Sequence, residues 1–237
     1  MKGFFDYLWS VGKVQVDPAA KIRRFKEEPE KPNFITYEML LEALPPILHN
    51  PDYSTLRKTI YILALKGIRF SDYVLPKGNV IDKGETVDIY LKKRVITLEG
   101  IEAEIFLTHF LDAQFNSSDY VFITKKRTRN SENSNLDIKG EGKDNTSAEI
   151  VPVEVMSIYT HLNAISEDYN FPAKISLNLI RHAYANYLYT KQKMVIEEIA
   201  MHLGIENESA ANLVRISQNR YLIGKELLEI EGKKVVR

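Results

Sequence analysis

Apolar residues recur three and four positions apart along most of the chain, a spacing that predicts amphipathic helices. Two of these helices begin at Thr36 and Ser54, whose side chains are able to accept a hydrogen bond from the first helical turn. Gly67 is predicted to end the second helix. Further helices are predicted over residues 101–115, 153–165, 177–189, 196–203, 209–215 and 224–230.

Two stretches follow a different pattern, in which apolar and polar residues alternate or β-branched residues cluster. Residues 85–91 and 94–98 are predicted strands, with Lys92 and Lys93 at the turn between them. Residues 120–123 are a further, short strand candidate. The predicted fold class is therefore mostly α with a small antiparallel β-sheet (α+β).

Two polar segments, residues 18–32 and 125–149, separate the predicted helices and strands. Residues 4–16 predict a short helix ending at Gly12. Residues 18–32, which follow it, contain three prolines and predict a linker. Residues 125–149 are polar and low in complexity, which predicts a flexible insertion. The chain is therefore predicted to divide into a small N-terminal part, residues 1–31, and a main domain, residues 32–237.

Composition narrows the function classes. The chain has 237 residues, 32 basic and 32 acidic side chains, and no cysteine. Disulfides, thiolate nucleophiles and cysteine-bound metals are therefore excluded, and zero net charge argues against a strongly basic nucleic-acid-binding domain. The sequence has no targeting signal and no apolar stretch near the ~20 residues that span a bilayer. A soluble cytoplasmic protein without membrane contact is expected.

Two arginines stand in unusual surroundings. Arg69 follows the helix-ending Gly67, and Arg181 lies in a predicted helix among apolar neighbours such as Leu179 and Ile180. An arginine in such a setting must be paired or directed at an anion. The five histidines lack metal-ligand spacing, and the common phosphate-binding, zinc-protease and serine-hydrolase motifs are absent.

Four segments, in chain order, resemble the sequence boxes of one known family. Residues 65–72, LKGIRFSD, resemble T-G-L-R-I-S-E, and residues 175–182, ISLNLIRH, resemble I-T-P-H-D-L-R-H. Residues 92–98, KKRVITL, resemble K-x-R-x-V-P-L, and residues 201–204, MHLG, resemble an L-G-H segment. These boxes belong to the tyrosine recombinase (phage integrase) family. The resemblance implies its catalytic domain over residues 32–237, preceded by a remnant of its core-binding domain and linker.

The resemblance also implies an enzyme that cuts and rejoins duplex DNA through a 3′-phosphotyrosyl intermediate. Arg69 and Arg181 would clamp one phosphodiester, because a guanidinium fork matches phosphate oxygens. Lys92 would protonate the departing 5′-oxygen, and Tyr221 would attack the phosphorus. Neither a metal nor a cofactor is implied. Supporting roles are implied for Asp72, which would hold Arg69 or cap the next segment, and for His182.

Two positions depart from the family pattern. Asn178 stands where the second box has histidine, and an amide donates a hydrogen bond but cannot act as acid or base. Ile205 stands at the histidine of the L-G-H segment and offers no donor. His202, one helical turn earlier, is either its replacement or a surface residue of the helix. Both departures predict impaired activity.

The identity of the nucleophile and the presence of catalysis stay open. Tyr221 follows position 205 by sixteen residues (221 − 205), whereas about nine or ten separate the corresponding family residues. An insertion, a repositioned segment or a packing role for Tyr221 would each explain this spacing. Two alternatives to a recombinase are an inactive DNA-binding member of the fold and a helix-turn-helix regulator built on residues 196–215. Against the regulator, Glu206 and Glu208 stand at the start of its recognition helix.

Duplex DNA is the partner that the resemblance implies, bound by a homo-oligomer, a tetramer in the family. The expected process is DNA recombination or integration, including that of mobile elements or viral genomes, at the nucleoid. Charged segments predict salt-dependent contacts with the DNA backbone. The candidate contact residues are Arg23, Arg24, Lys26, Lys125, Lys126, Arg127 and Arg129.

Overall fold

The structure is a computed structural model that describes Tyr7 and residues 10–13, 35–127 and 148–234. The chain forms two compact units, Met1–Pro32 and Asn33–Arg237. In the first unit, the Val11 amide donates a hydrogen bond to the Tyr7 carbonyl over 3.0 Å, and Gly12 has a φ of 69°. These features agree with a helical turn that ends at Gly12. The predicted linker and the basic residues Arg23, Arg24 and Lys26 lie outside the described residues.

The second unit is mostly helical. The predicted caps at Thr36 and Ser54 are confirmed, because each side chain accepts a hydrogen bond from the third residue after it. Glycine at position 67 follows the end of the second predicted helix with a φ of 70°. The described helices are α1 (Tyr37–Glu42), α2 (Leu44–His49), α3 (Thr55–Leu65), α4 (Gly100–Gln114), α5 (Val155–Asp168), α6 (Leu177–Thr190), α7 (Ile196–Leu203) and α8 (Asn207–Lys234).

The predicted hairpin forms part of an antiparallel sheet with three strands. These are β1 (Val80–Asp82), β2 (Thr86–Tyr90) and β3 (Val95–Glu99), in that spatial order. Tyr90 pairs with Val95, and the Leu91 amide donates to the Arg94 carbonyl over 2.9 Å. This tight turn leaves Lys92 and Lys93 exposed at the tip of the hairpin.

A second hairpin corrects two expectations. Strand β4 (Ile123–Arg127) pairs antiparallel with β5 (Ala148–Pro152), so both ends of the predicted flexible insertion at 125–149 are strands. The predicted strand at 120–123 forms only at its two ends: Tyr120 makes an isolated antiparallel bridge with Pro76, and Ile123 begins β4. The Val121 amide donates a hydrogen bond to the Leu75 carbonyl, while the Phe122 carbonyl accepts one from the Val153 amide. Residues 121 and 122 therefore bond to two different segments of the chain instead of pairing along one strand. Residues 128–147 lie outside the described residues.

Helix α3 lies at the centre of the core. Its residues from Ile60 to Leu65 are all at most 2% exposed, as expected of a helix that is apolar on every side. Two buried tyrosines donate hydrogen bonds from their hydroxyls to backbone carbonyls. Tyr61 donates to Leu40 over 2.8 Å, and Tyr73 donates to Ile60 over 2.7 Å. A smaller cluster of apolar residues joins α6, α7 and α8.

The end of the chain differs from its predicted form. The expected helices at 209–215 and 224–230 are one helix of 28 residues, α8. A glycine inside a helix costs only about 1 kcal/mol relative to alanine, so Gly224 alone does not stop it. A short second helix of the kind a helix-turn-helix uses is therefore not observed. No helix in the described part of the chain is long and apolar enough to cross a membrane.

Candidate functional site

Arg69 is positioned by the turn that ends α3. Gly67 packs so closely that a Cβ there would lie 2.8 Å from side-chain atoms of both Leu203 and Tyr184, which joins α3 to α6 and α7. Two residues later, the Arg69 amide donates to Asp72 Oδ2 over 2.8 Å. The Arg69 Nε lies 3.7 Å from the same carboxylate oxygen. Asp72 therefore caps this turn and holds the guanidinium of Arg69 beside it.

Arg181 is half-buried on α6, and its Nε is buried without a hydrogen-bond partner in the described structure. Burial lowers the pKa of Arg181, the charge of Arg69 lowers it further, and Asp72 raises it. The two arginines that the sequence singles out therefore lie within each other's electric field. Arg69 is exposed and Arg181 is half-buried, and two cations that repel each other across such a site are suited to an anion between them.

A third arginine joins this group, and sequence reasoning did not assign it a role. Arg94, at the end of the hairpin turn, donates a hydrogen bond from Nη1 to the carbonyl of His202 at the end of α7. Burial lowers the pKa of Arg94 to about 10; Asp72 and Tyr184 raise it, and the charges of Arg181 and Arg69 lower it. The signal was present, since Arg94 lies inside the segment that resembles K-x-R-x-V-P-L.

The hairpin turn is docked against α7. Gly204 ends α7 with a φ of 61°, and a Cβ at this position would lie 3.3 Å from Arg94 Cγ and 3.4 Å from Lys93 Cβ. The Lys93 ammonium pairs with Glu206. Lys92, the predicted general acid, is exposed at the same turn. The turn thus leaves Lys92 exposed, while Lys93 pairs with Glu206 and Arg94 donates to His202.

The remaining predicted histidine and asparagine positions fall on and near α6. Asn178 is exposed in its first turn. His182 is half-buried, with Nδ1 2.9 Å from Ser217 Oγ. Because Ser217 donates its own proton to the Leu213 carbonyl, we assign the hydrogen bond as donated by His182. Burial and then the charge of Arg220 lower the pKa of His182, so the ring is neutral at pH 7.

The residue at the L-G-H histidine position, Ile205, packs against other apolar side chains. Ile205 is partly buried against the cluster shared by α6, α7 and α8, and its amide donates to the Ala200 carbonyl over 3.0 Å. The side chain of His202 is exposed, and it is the carbonyl of this residue that contacts Arg94. In the described structure, neither the apolar side chain of Ile205 nor the exposed side chain of His202 is seen to direct a hydrogen-bond donor into the arginine cluster.

Tyr221 lies on α8 and is 37% exposed. It lines a pocket with the start of α1 and with four residues of α6: Leu179, His182, Ala183 and Asn186. These four residues lie on one face of the helix, since His182, Ala183 and Asn186 are three, four and seven positions after Leu179. Arg181 is two positions after Leu179, about 200° around the helix. The structure therefore does not bring Tyr221 to the face of α6 that carries Arg181.

The other predicted residues have no described side-chain contacts. Lys125, Lys126 and Arg127 lie on β4, where only the backbone is described, and Arg129 lies outside the described residues. Among the described residues, no group of three histidine, aspartate or glutamate side chains is arranged to hold a metal ion. The candidate site is therefore the cluster of Arg69, Arg94 and Arg181 with Asp72, which we call the arginine cluster.

No protein-family model and no curated protein sequence matches the chain, but solved structures do. The XerH site-specific recombinase, in a post-cleavage complex with palindromic difH substrate, matches with a TM-score of 0.55 at 13% identity, over 84% of this chain and 54% of that one. The XerA recombinase matches with a TM-score of 0.52 at 13% identity, over 87% of this chain and 66% of that one. The chain spans less than two thirds of either relative.

Identity this low establishes the fold alone. The chain has the tyrosine recombinase catalytic-domain fold, mostly helical with small antiparallel sheets. This result confirms the fold class predicted from the sequence.

Proposed function

We propose that the protein is a DNA strand transferase of the tyrosine recombinase type, which cuts and rejoins duplex DNA. The observation that carries this proposal is the arginine cluster in this fold. Arg69 lies in the turn after α3, and Arg181 lies on α6. Their charges nevertheless repel each other near one carboxylate, that of Asp72. A site with more positive than negative charge, in which Arg181 and Arg94 are partly buried and Arg69 is exposed, favours an anion such as a phosphodiester.

The chemistry follows from the groups present. Guanidinium groups that are already oriented stabilise the negative charge that develops on the phosphoryl oxygens, because little reorganisation is needed during the reaction. Tyr221, which is 37% exposed, gives its hydroxyl proton to solvent water as its oxygen attacks phosphorus. The 3′-phosphotyrosyl bond forms while the bond to the 5′-oxygen breaks. Lys92 supplies the proton that the departing 5′-oxygen takes up. In the reverse direction a 5′-hydroxyl displaces tyrosine, so the DNA is rejoined without an external energy source.

The position of Tyr221 adds a requirement. Fourteen residues of helix separate it from the start of α8 (221 − 207), about 21 Å at 1.5 Å per residue. We propose that α8 shifts on DNA binding so that Tyr221 reaches the arginine cluster, or that a second copy on the same DNA supplies its Tyr221. Either route agrees with the homo-oligomer on DNA that the sequence implies.

Trapping of the covalent intermediate tests the proposal. Duplexes bound by the protein are selected from a randomised pool, and nicked versions are made so that the released 5′ fragment diffuses away. The wild-type protein is expected to give an adduct on a denaturing gel, and Tyr221→Phe and Arg181→Ala are expected to give none. An adduct that persists in Tyr221→Phe would refute the assigned nucleophile. Bound duplexes that yield no adduct with the wild type would refute the activity.

A second candidate is a DNA-binding protein that keeps the fold without catalysis. Two observations favour it: Ile205 packs into the core where a donor is expected, and Tyr221 lines a pocket on another face of α6 than Arg181. This protein would bind the selected duplexes and form no adduct. The same gel therefore separates the two candidates.

A further inference from the structure

Arg94 belongs to a different element from Arg69 and Arg181, the turn between β2 and β3. It leaves the β2–β3 turn, its Cγ and Cδ pack over Gly204, and its Nη1 donates to the His202 carbonyl. A side chain fixed at both its stem and its head has few rotamers left to lose when it binds a ligand. Arg94 is therefore oriented before any ligand arrives.

The charges around Arg94 are not balanced. Arg69 pairs with Asp72, its Nε 3.7 Å from the carboxylate, and Asp72 is also the one acidic residue whose charge raises the pKa of Arg94 or Arg181 among the described residues. Two of their N–H groups, Arg94 Nη2 and Arg181 Nε, are buried with no hydrogen-bond partner in the described structure. A buried donor without a partner is costly, and an anion held between the arginines would satisfy both donors at once.

We propose that Arg94 is a third phosphate-binding residue, which supplies the hydrogen-bond donor that Ile205 lacks. This inference rests on the proposed strand-transfer function. Gly204, the residue before Ile205, is the residue on which the Arg94 side chain packs. The donor absent at the L-G-H position would thus be replaced by a side chain that packs on the neighbouring residue, Gly204. Arg94 Nη2 would donate to a non-bridging oxygen of the phosphodiester that Arg69 and Arg181 clamp.

The alternative is that Arg94 only anchors the hairpin to α7 through its bond to His202. Arg94→Gln and Arg94→Ala separate the two roles, because glutamine keeps an N–H donor for the carbonyl but removes the charge and the second arm. Arg57→Gln is the matched control, an arginine outside the cluster that lies over the Tyr53 ring. Circular dichroism on each variant establishes that it folds.

The first measurement is the rate of adduct formation on the nicked duplexes. Loss of one preorganised donor typically costs 10²–10³ in rate, so we expect a decrease of about 10² or more in both Arg94 variants and none in Arg57→Gln. Added ethylguanidinium is expected to restore part of the rate in Arg94→Ala. An Arg94→Gln rate equal to that of the wild type would overturn the inference and leave the proposed function standing.

The second measurement does not depend on catalysis. Inorganic phosphate at constant ionic strength is expected to raise the Tm of the wild type and of Arg57→Gln, and to leave the Tm of Arg94→Gln and Arg181→Ala unchanged. If the wild type forms no adduct but shows this stabilisation, the proposed function fails and Arg94 remains part of an anion site. If phosphate stabilises Arg94→Gln as much as the wild type, Arg94 is not part of the anion site.

Discussion

Two glycines hold the residues of the arginine cluster in place. Gly67 and Gly204 both have positive φ values, 70° and 61°, and both meet side chains where another residue would carry its Cβ. The first allows the chain to turn directly from α3 into Arg69, and the second receives the stem of Arg94. The positions of these arginines therefore depend on residues that have no side chain of their own.

Gly67→Ala is expected to destabilise the fold more than the same change at Gly84. Both positions have positive φ, which costs about 1–2 kcal/mol for a residue with a Cβ. At Gly67 the added Cβ also meets Leu203 and Tyr184 at 2.8 Å, whereas at Gly84 nothing lies within 4 Å. Overpacking of this kind adds about 1–3 kcal/mol. Urea unfolding of the two variants measures the difference, and equal losses would contradict the close packing around Gly67.

His182 makes the stability of the fold depend on pH. Its folded-state pKa is lowered from the ordinary value of 6.5, so the unfolded chain binds more protons below that pH. The free energy of unfolding should therefore fall as the pH drops from about 6.5, at no more than about 1.4 kcal/mol per pH unit for this group. His182→Asn retains a donor for Ser217 but does not titrate. Its stability profile should be flatter than the wild-type profile by one proton, and identical profiles would refute the neutral His182.

At the scale of elements, the long helix α8 decides where Tyr221 lies. The His182–Ser217 hydrogen bond joins α6 to α8 one helical turn before Tyr221. Because α8 is continuous through this region, Tyr221 lies at the α6 face that includes His182 and away from Arg181. A break in the helix before position 221 would leave the tyrosine free to approach the cluster.

Gly224→Ala tests the continuity of α8 by the sign of its effect. Inside a helix, alanine is more stable than glycine by about 0.5–1 kcal/mol, so the variant should be more stable and more helical than the wild type. If a separate helix began at Gly224, as the sequence pattern indicates, the glycine would lie at its N-terminus, where alanine is a poorer cap and would destabilise the protein. Thermal unfolding followed by circular dichroism distinguishes these outcomes.

The sequence predicted elements better than it predicted the contacts between them. The caps at Thr36 and Ser54 and the hairpin around Lys92 depend on neighbouring residues, so local patterns were sufficient to find them. The strands at 123–127 and 148–152 were missed, since the first is mostly polar and each pairs with a partner across a long polar segment. Arg94 was missed for the same reason. Its setting depends on Gly204, more than 100 residues away in the chain.

At the scale of the whole molecule, zero net charge conceals a local excess of positive charge. The arginine cluster has three cations and one anion, with Arg94 and Arg181 partly buried and Arg69 exposed, and Lys125, Lys126 and Arg127 follow one another along β4. Acidic residues elsewhere balance the total. Net charge therefore argues neither for nor against DNA binding here, and the arrangement of charges decides the question.

The salt dependence of DNA binding tests this arrangement. Each phosphate contact made by a cation adds about 0.9 to the magnitude of the slope of log K against log salt concentration for duplex DNA. If the basic residues of β4 contact the backbone, the variant Lys125→Gln/Lys126→Gln/Arg127→Gln should lower that magnitude by up to about 2.7, with adduct formation intact at low salt. The control Lys83→Gln removes a cation that pairs with Asp88 in the sheet, and its slope should equal that of the wild type. A triple variant with an unchanged slope would exclude β4 from the DNA interface.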